Sequence, residues 1–181
     1  MEYGHIVLSR SHHFTANAIA YMTDSYFSHT FITVPPISGR LICFEAVGGG
    51  VEAVPFDIGY EQDDSEEYII YSLQVSNEIK DQAISEIMNT LERPYGYTDY
   101  LWFIWRWICK KFGKDIKKDN NWVKGGIVCS ELVTDYLKAC GLSHLFEGYG
   151  DGSVVPQDIY DIVKQNPQYF VEVSRKLTKD L

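Results

Sequence analysis

Ser28-His29-Thr30-Phe31-Ile32-Thr33-Val34-Pro35-Pro36-Ile37-Ser38-Gly39-Arg40-Leu41-Ile42-Cys43-Phe44-Glu45-Ala46-Val47-Gly48-Gly49-Gly50-Val51-Glu52-Ala53-Val54 is the stretch on which the fold turns. Its β-branched and aromatic runs read as strands. Pro35-Pro36 is expected to stop the first run, Gly39 opens the second, and Gly48-Gly49-Gly50 turns it into a third, the pattern of an antiparallel meander. Outward from it, Ile6-Val7-Leu8 and Tyr68 to Leu73 read as further strands, the latter after an acidic loop from Glu61 to Glu67. Ser11 to Ser25 has near-helical apolar spacing, and Asn77 is placed to cap a helix from Glu78 to Glu92 that Pro94 ends. A strongly aromatic helix follows Thr98 and ends at Gly113. Cys129-Ser130-Glu131-Leu132-Val133 begins a helix that runs to Cys140, with Gly141 in C-terminal cap position. Pro156 starts another, Gln157 to Lys164, before a final strand from Tyr169 to Ser174. The expected class is α+β, an antiparallel sheet (meander or half-barrel) flanked by helices.

The 181 residues fit a single domain, 1–181, with a helical insertion expected at about 98–122. A formal net charge of −9 disfavours a nucleic-acid partner, whose phosphates are polyanionic. Arg106, Lys110, Lys111, Lys114, Lys117 and Lys118 form the one basic cluster, read as the solvated end of a helix and its loop. The longest apolar stretch, Tyr100 to Cys109, is interrupted by Arg106, and a membrane span needs roughly 20 apolar residues, so none is expected. No signal peptide is read at the N-terminus. Cys43, Cys109, Cys129 and Cys140 show no CxxC pair and no metal-ligand spacing, so neither metal nor cofactor is expected. On one helix Cys129 and Cys140 would lie about 16 Å apart, too far for a disulfide. Reduced thiols and a cytoplasmic or intracellular location are the simplest reading.

A lone cysteine is more often a small buried hydrophobe than a reactive group. Cys129 differs in context: Gly125-Gly126 lets the chain turn tightly just before it, and a helix begins at it. A helix N-terminus concentrates partial positive charge and unpaired N–H groups, which favour a thiolate and can hold an oxyanion. Of five histidines, His29 stands at the mouth of a strand, which would fix its ring as a base requires. The plainer alternative is a half-buried histidine bonded to backbone. Glu45, in the next strand between Phe44 and Ala46, either orients His29 or is a solvent-facing charge. Glu52 is the next candidate for that orienting role.

Taken in order, Ser28-His29-Thr30, Phe44-Glu45-Ala46 with Gly50-Val51, Pro94-Tyr95-Gly96-Tyr97 and Cys129-Ser130-Glu131-Leu132-Val133 resemble the circularly permuted NlpC-like papain fold, in particular its YiiX-type branch. Gly4-His5-Ile6 is similar to that group's Gly-Asp-Ile opening, with His5 where Asp is usual, and Pro156-Gln157-Asp158-Ile159 resembles its late helix start. The resemblance implies a cysteine peptidase or amidase that cleaves amide, isopeptide or ester bonds through an acyl-enzyme. It implies Cys129 as nucleophile, His29 as base and Glu45 as orienting carboxylate, with Tyr95, Ser28 and Ser130 in supporting or substrate-binding places. Peptides, cell-wall peptides or lipid-linked groups are the substrates it implies. An acyltransferase or thioesterase on lipid-linked substrates is the alternative within enzymes, because the lecithin retinol acyltransferase group resembles the same permuted fold. A catalytically silent binding protein is the alternative outside them.

Overall fold

The computed structural model describes residues 2–63, 65–96, 109, 112–113, 126–150 and 152–177. Six strands, β1 (His5–Ser11), β2 (His29–Ile37), β3 (Arg40–Val47), β4 (Gly50–Pro55), β5 (Glu66–Leu73) and β6 (Phe170–Lys176), form one open antiparallel sheet in the order β4-β3-β2-β1-β5-β6. Among the described residues four α-helices accompany it: α1 (Phe14–Thr23), α2 (Asn77–Ile87), α3 (Cys129–Leu137) and α4 (Pro156–Gln165). This is the α+β architecture, with the meander β2-β3-β4 that its glycine punctuation predicts. The expected aromatic helix at 98–113 and the wider insertion at 98–122 lie almost wholly outside the described residues.

β1 sits in the middle of the sheet, and Ile6, Val7 and Leu8 are all fully buried. A strand covered on both faces needs an unbroken apolar run, which is what this sequence supplies. One face buries Ile6, Leu8, Ile32, Phe44, Ile69 and Leu73 against α2, α3 and α4, including Leu132, Tyr136 and Ile159. The other face carries a smaller aromatic cluster of Val7, Phe31, Cys43, Phe56, Tyr60, Tyr68 and Ile70. Each large apolar side chain buried this way is worth about 1.5–3 kcal/mol, so the first face dominates stability.

Several expected boundaries move. β2 does not stop at Pro35-Pro36 but continues to Ile37, with its register against β3 shifting between Val34 and Ile37. Prolines cannot donate to the ladder, so the strand passes them only through an irregularity. Ser76, not Asn77, caps α2, its hydroxyl accepting from the Ile79 N–H at 3.4 Å, and the helix ends at Ile87 in a 3₁₀ turn, Met88–Thr90. Glu66 and Glu67 belong to β5 rather than to the acidic loop. α3 ends at Leu137 and passes through a wider turn, Lys138–Leu142, in which Gly141 takes φ +86°, a conformation glycine adopts at no steric cost. At α4 the Asp158 carboxylate accepts from the Val155 N–H at 3.0 Å, so the Pro-x-Asp start works as a reach-back cap.

Candidate active site

The alternation of β2 puts His29 and Phe31 on the aromatic face, and the alternation of β3 puts Cys43 and Glu45 there. Ile32 pairs with Phe44. Extending that register by one pair sets Glu45 opposite Phe31, so His29 and Glu45 are diagonal same-face neighbours within reach of long side chains. Their contact follows: Nε2 of His29 lies 2.7 Å from Oε2 of Glu45. The hydroxyl of Tyr60 donates to the same oxygen at 2.5 Å. Tyr60 is held there by its ring, 4.4 Å from the centroid of Phe31 and 5.7 Å from that of Phe56, within the single wide turn Asp57–Glu61.

Cys129 reaches this pair from the other direction. The segment before it is pinned to the meander: Arg93 accepts from the Val51 N–H at 3.0 Å, Tyr95 forms a parallel bridge with Ile127, and Gly96 donates to the Ile127 carbonyl at 3.2 Å. A side chain at Gly126 would put its Cβ 2.6 Å from the Cα of Gly96, so that position admits only glycine. The chain then enters α3 with extended Val128 as N-cap and Cys129 as first helical residue. Val128 has no side-chain oxygen, so it leaves the early N–H groups of α3 uncapped from that side. α3 itself is fixed by packing on β2 and β3, by the Ser130 hydroxyl donating to the Val154 carbonyl at 2.6 Å, and by Thr134 donating to the Ser130 carbonyl at 2.7 Å.

Nε2 of His29 is taken by Glu45, and Cys129 lies close enough to bear on the same ring. Burial alone would lower the pKa of His29. The bond and charge of Cys129, then those of Glu45, outweigh burial and push it up to about 10. Burial opposes ionisation of Glu45 as well, but the His29 bond and charge and the Tyr60 hydroxyl hold its carboxyl below the usual range. Burial and the adjacent Glu45 charge raise Tyr60, so it stays a donor. Cys43 and Cys140 are disfavoured as thiolates: burial raises Cys43 and pushes Cys140 up to about 11.

The structure thus brings Cys129, His29 and Glu45 into one row. A cleft of about 220 Å³ opens beside it, lined by Ser28, His29, Tyr60, Glu66 and Tyr95, with Ala16 and Ile19 of α1 and Ala46 and Val47 of β3 as apolar walls. Tyr95 and Ser28 therefore face the cleft. The Ser28 hydroxyl accepts from the Ser11 N–H at 3.3 Å. Ser130, bonded to Val154 and buried, holds α3 in place rather than facing the cleft. Glu52 pairs with Glu45 across the β3–β4 ladder but is exposed. His5, at the position of the usual Asp, is buried with Nδ1 unbonded, and burial and Lys80 lower its pKa. Sequence reading missed Tyr60 and Glu66. Tyr60 gave one faint signal, an aromatic side chain inside a polar, acidic stretch.

No protein-family model matches the chain, and no curated protein matches it. Among solved structures it is similar to the crystal structure of the metalloprotein YiiX from Escherichia coli O157:H7, of the DUF1105 group, with 19% identity, a TM-score of 0.57 and 97% of each chain covered. That likeness spans the strands and helices that carry Cys129, His29 and Glu45, and it establishes that the chain has the YiiX-like fold.

Proposed function

We propose that the chain is a cysteine hydrolase acting on amide, isopeptide or ester bonds, a peptidase or amidase of the NlpC-like kind, with residues 1–181 as one catalytic unit. The observation that carries the reading is His29 bonded through Nε2 to Glu45, with Cys129 close enough to bear on the same ring. In the proposed reaction His29 already holds the proton of Cys129, and the sulfur attacks the carbonyl carbon as the C–S bond forms. The oxyanion meets N–H groups at the start of α3. Collapse breaks the C–N or C–O bond, and His29 returns the proton to the leaving group. Water, deprotonated by His29, then hydrolyses the thioester and frees Cys129. Glu45 keeps the ring oriented and stabilises its cationic form, and Tyr60 keeps Glu45 ionised.

The structural neighbour is called a metalloprotein. Among the described residues no group of three or more His, Cys, Asp or Glu side chains is arranged to hold a metal ion. Within the site, His29 and Tyr60 both spend their bonds on Glu45. These residues do not fit a resident metal, and the proposed steps use none. Among the described residues, no helix is long and apolar enough to cross a membrane.

The test is competitive alkylation with iodoacetamide followed by peptide mapping. Cys129 should react fastest of the four cysteines, and His29→Ala should slow it by roughly tenfold or more, because the cationic ring no longer supports the thiolate. If Cys129 reacts no faster than Cys43 or Cys140, the reading is wrong.

A further inference from the structure

β1 acts as a ruler across the cleft. Ser9 pairs with His29 on one side, and Ser11 pairs with Glu66 on the other. Ser9 and Ser11 are two residues apart and so share a face, which places His29 and Glu66 on that face too. Two strand spacings of about 4.8 Å and a step of about 7 Å along the strand put their Cα atoms about 12 Å apart. Both side chains line the same cleft. Glu66 reaches a few ångströms into that cleft while the His29 ring is held by Glu45, leaving a gap that one or two residues of extended peptide would span.

Three neighbouring carboxylates differ in how they are served. Glu45 holds His29 and Tyr60, and Glu67 holds His12 and Tyr26. Glu66 is half-buried and has the Ser11 hydroxyl; the charges of His29 and His13 also favour its ionised form, and among the described residues no Lys or Arg pairs with it. Burial, with Asp63 adding to it, raises its pKa against the Ser11 bond and the charges of His29 and His13. A carboxylate drawn part-way out of water with no ion pair in contact among the described residues is costly, and the apolar walls from α1 and β3 keep that cost high when substrate fills the cleft.

We propose that Glu66 is the specificity-determining residue of the cleft, receiving an ammonium group that the substrate carries one or two residues from the scissile bond. The inference rests on the hydrolase reading. The ammonium is either a lysine-like side chain or a free amino terminus, and both make the same charge-assisted bond.

The experiment uses three dipeptidyl vinyl sulfones that alkylate a reactive cysteine. The first is N-acetylated with lysine at the residue farther from the warhead. The second is N-acetylated with Nζ-acetyl-lysine there. The third has a free amino terminus and acetyl-lysine. The readout is the rate of adduct formation at Cys129 by intact mass and peptide mapping, for wild type and Glu66→Gln. One ammonium-bearing reagent should react roughly ten- to hundredfold faster than the neutral one in wild type, the worth of a hydrogen bond to a charged group. Glu66→Gln should bring that ratio close to one, and the arm that shows the preference identifies the source of the ammonium. If Cys129 is labelled but the three wild-type rates are equal, or the preference survives Glu66→Gln, the inference is overturned and the hydrolase reading stands. If no reagent labels Cys129 in preference to the other cysteines, both fall.

Discussion

Tyr60→Phe removes one oxygen and leaves the ring stacked between Phe31 and Phe56. It therefore isolates the bond from the Tyr60 hydroxyl to the Glu45 carboxylate, 2.5 Å in length and buried at both ends. A hydrogen bond to a charged group contributes about 1.5–3 kcal/mol, and this one also serves a carboxylate with little access to water, so the upper part of that range is expected at pH 7. The sign follows from ionisation. The pKa of Glu45 is lowered in the folded chain, so its stabilisation is present above the ordinary carboxylate value, 4.5, and is lost as pH falls through the lowered one. The difference between wild type and Tyr60→Phe should therefore be largest near neutrality and shrink in acid. What remains there is the smaller worth of a neutral bond, about 1 kcal/mol. Urea unfolding followed by circular dichroism at descending pH measures it. A difference below about 0.5 kcal/mol at pH 7, or one that does not change with pH, would refute an ionised Glu45 held by Tyr60.

Glu45→Gln should slow acylation of Cys129 while keeping the ring in place. Glu45→Ala should slow it further, by roughly a hundredfold, read as the rate of adduct formation with a vinyl sulfone; wild-type rates in both would make Glu45 a bystander. Gly126→Ala forces a Cβ to within 2.6 Å of Gly96. It should cost about 1–3 kcal/mol in urea unfolding, and an unshifted midpoint would count against the close approach. His29 has a raised pKa, so its contribution to stability is complete below the ordinary 6.5 and fades as pH rises to about 10. The stability gap between wild type and His29→Gln should narrow over that window, and a gap constant from pH 6 to pH 10.5 would contradict the assignment.

Much of the sheet was legible because its signals are local. Gly39, the glycine triplet at 48–50 and the strand runs fix a meander without reference to anything distant. The diagonal approach of His29 and Glu45 was legible for a related reason, since two strands joined by a short turn leave little freedom of register. Strand β2 passing Pro35-Pro36 was not, because sheet pairing outweighs a local breaker when a bulge can absorb it. Tyr60 was hidden for a different reason. Its aim at Glu45 depends on one turn of irregular helix and on stacking with Phe31 and Phe56, none of which has a period that sequence reading can detect.

The fold also shows why the cysteine, rather than the histidine and its carboxylate, marks the site. Two buried glutamates each hold a histidine and a tyrosine: Glu45 with His29 and Tyr60, and Glu67 with His12 and Tyr26. By residue type and bond length the sets are near twins, at 2.7 Å and 3.0 Å for the histidine contacts. They lie on opposite faces, since Glu67 sits beside Ile69 on the main-core face of β5 and Glu45 sits with Phe31 and Tyr60. His12 is 45% exposed, and its set fastens the end of β1 and the approach to α1 onto β5, helped by Arg10 lying 4.6 Å over the Tyr26 ring. His29 is 19% exposed and has α3 beginning at its free side. A histidine–carboxylate pair is thus available to this fold as ordinary fastening. It becomes a candidate for chemistry only where a separate element, positioned by Gly126 against Gly96, brings a helix N-terminus and a sulfur close to the histidine.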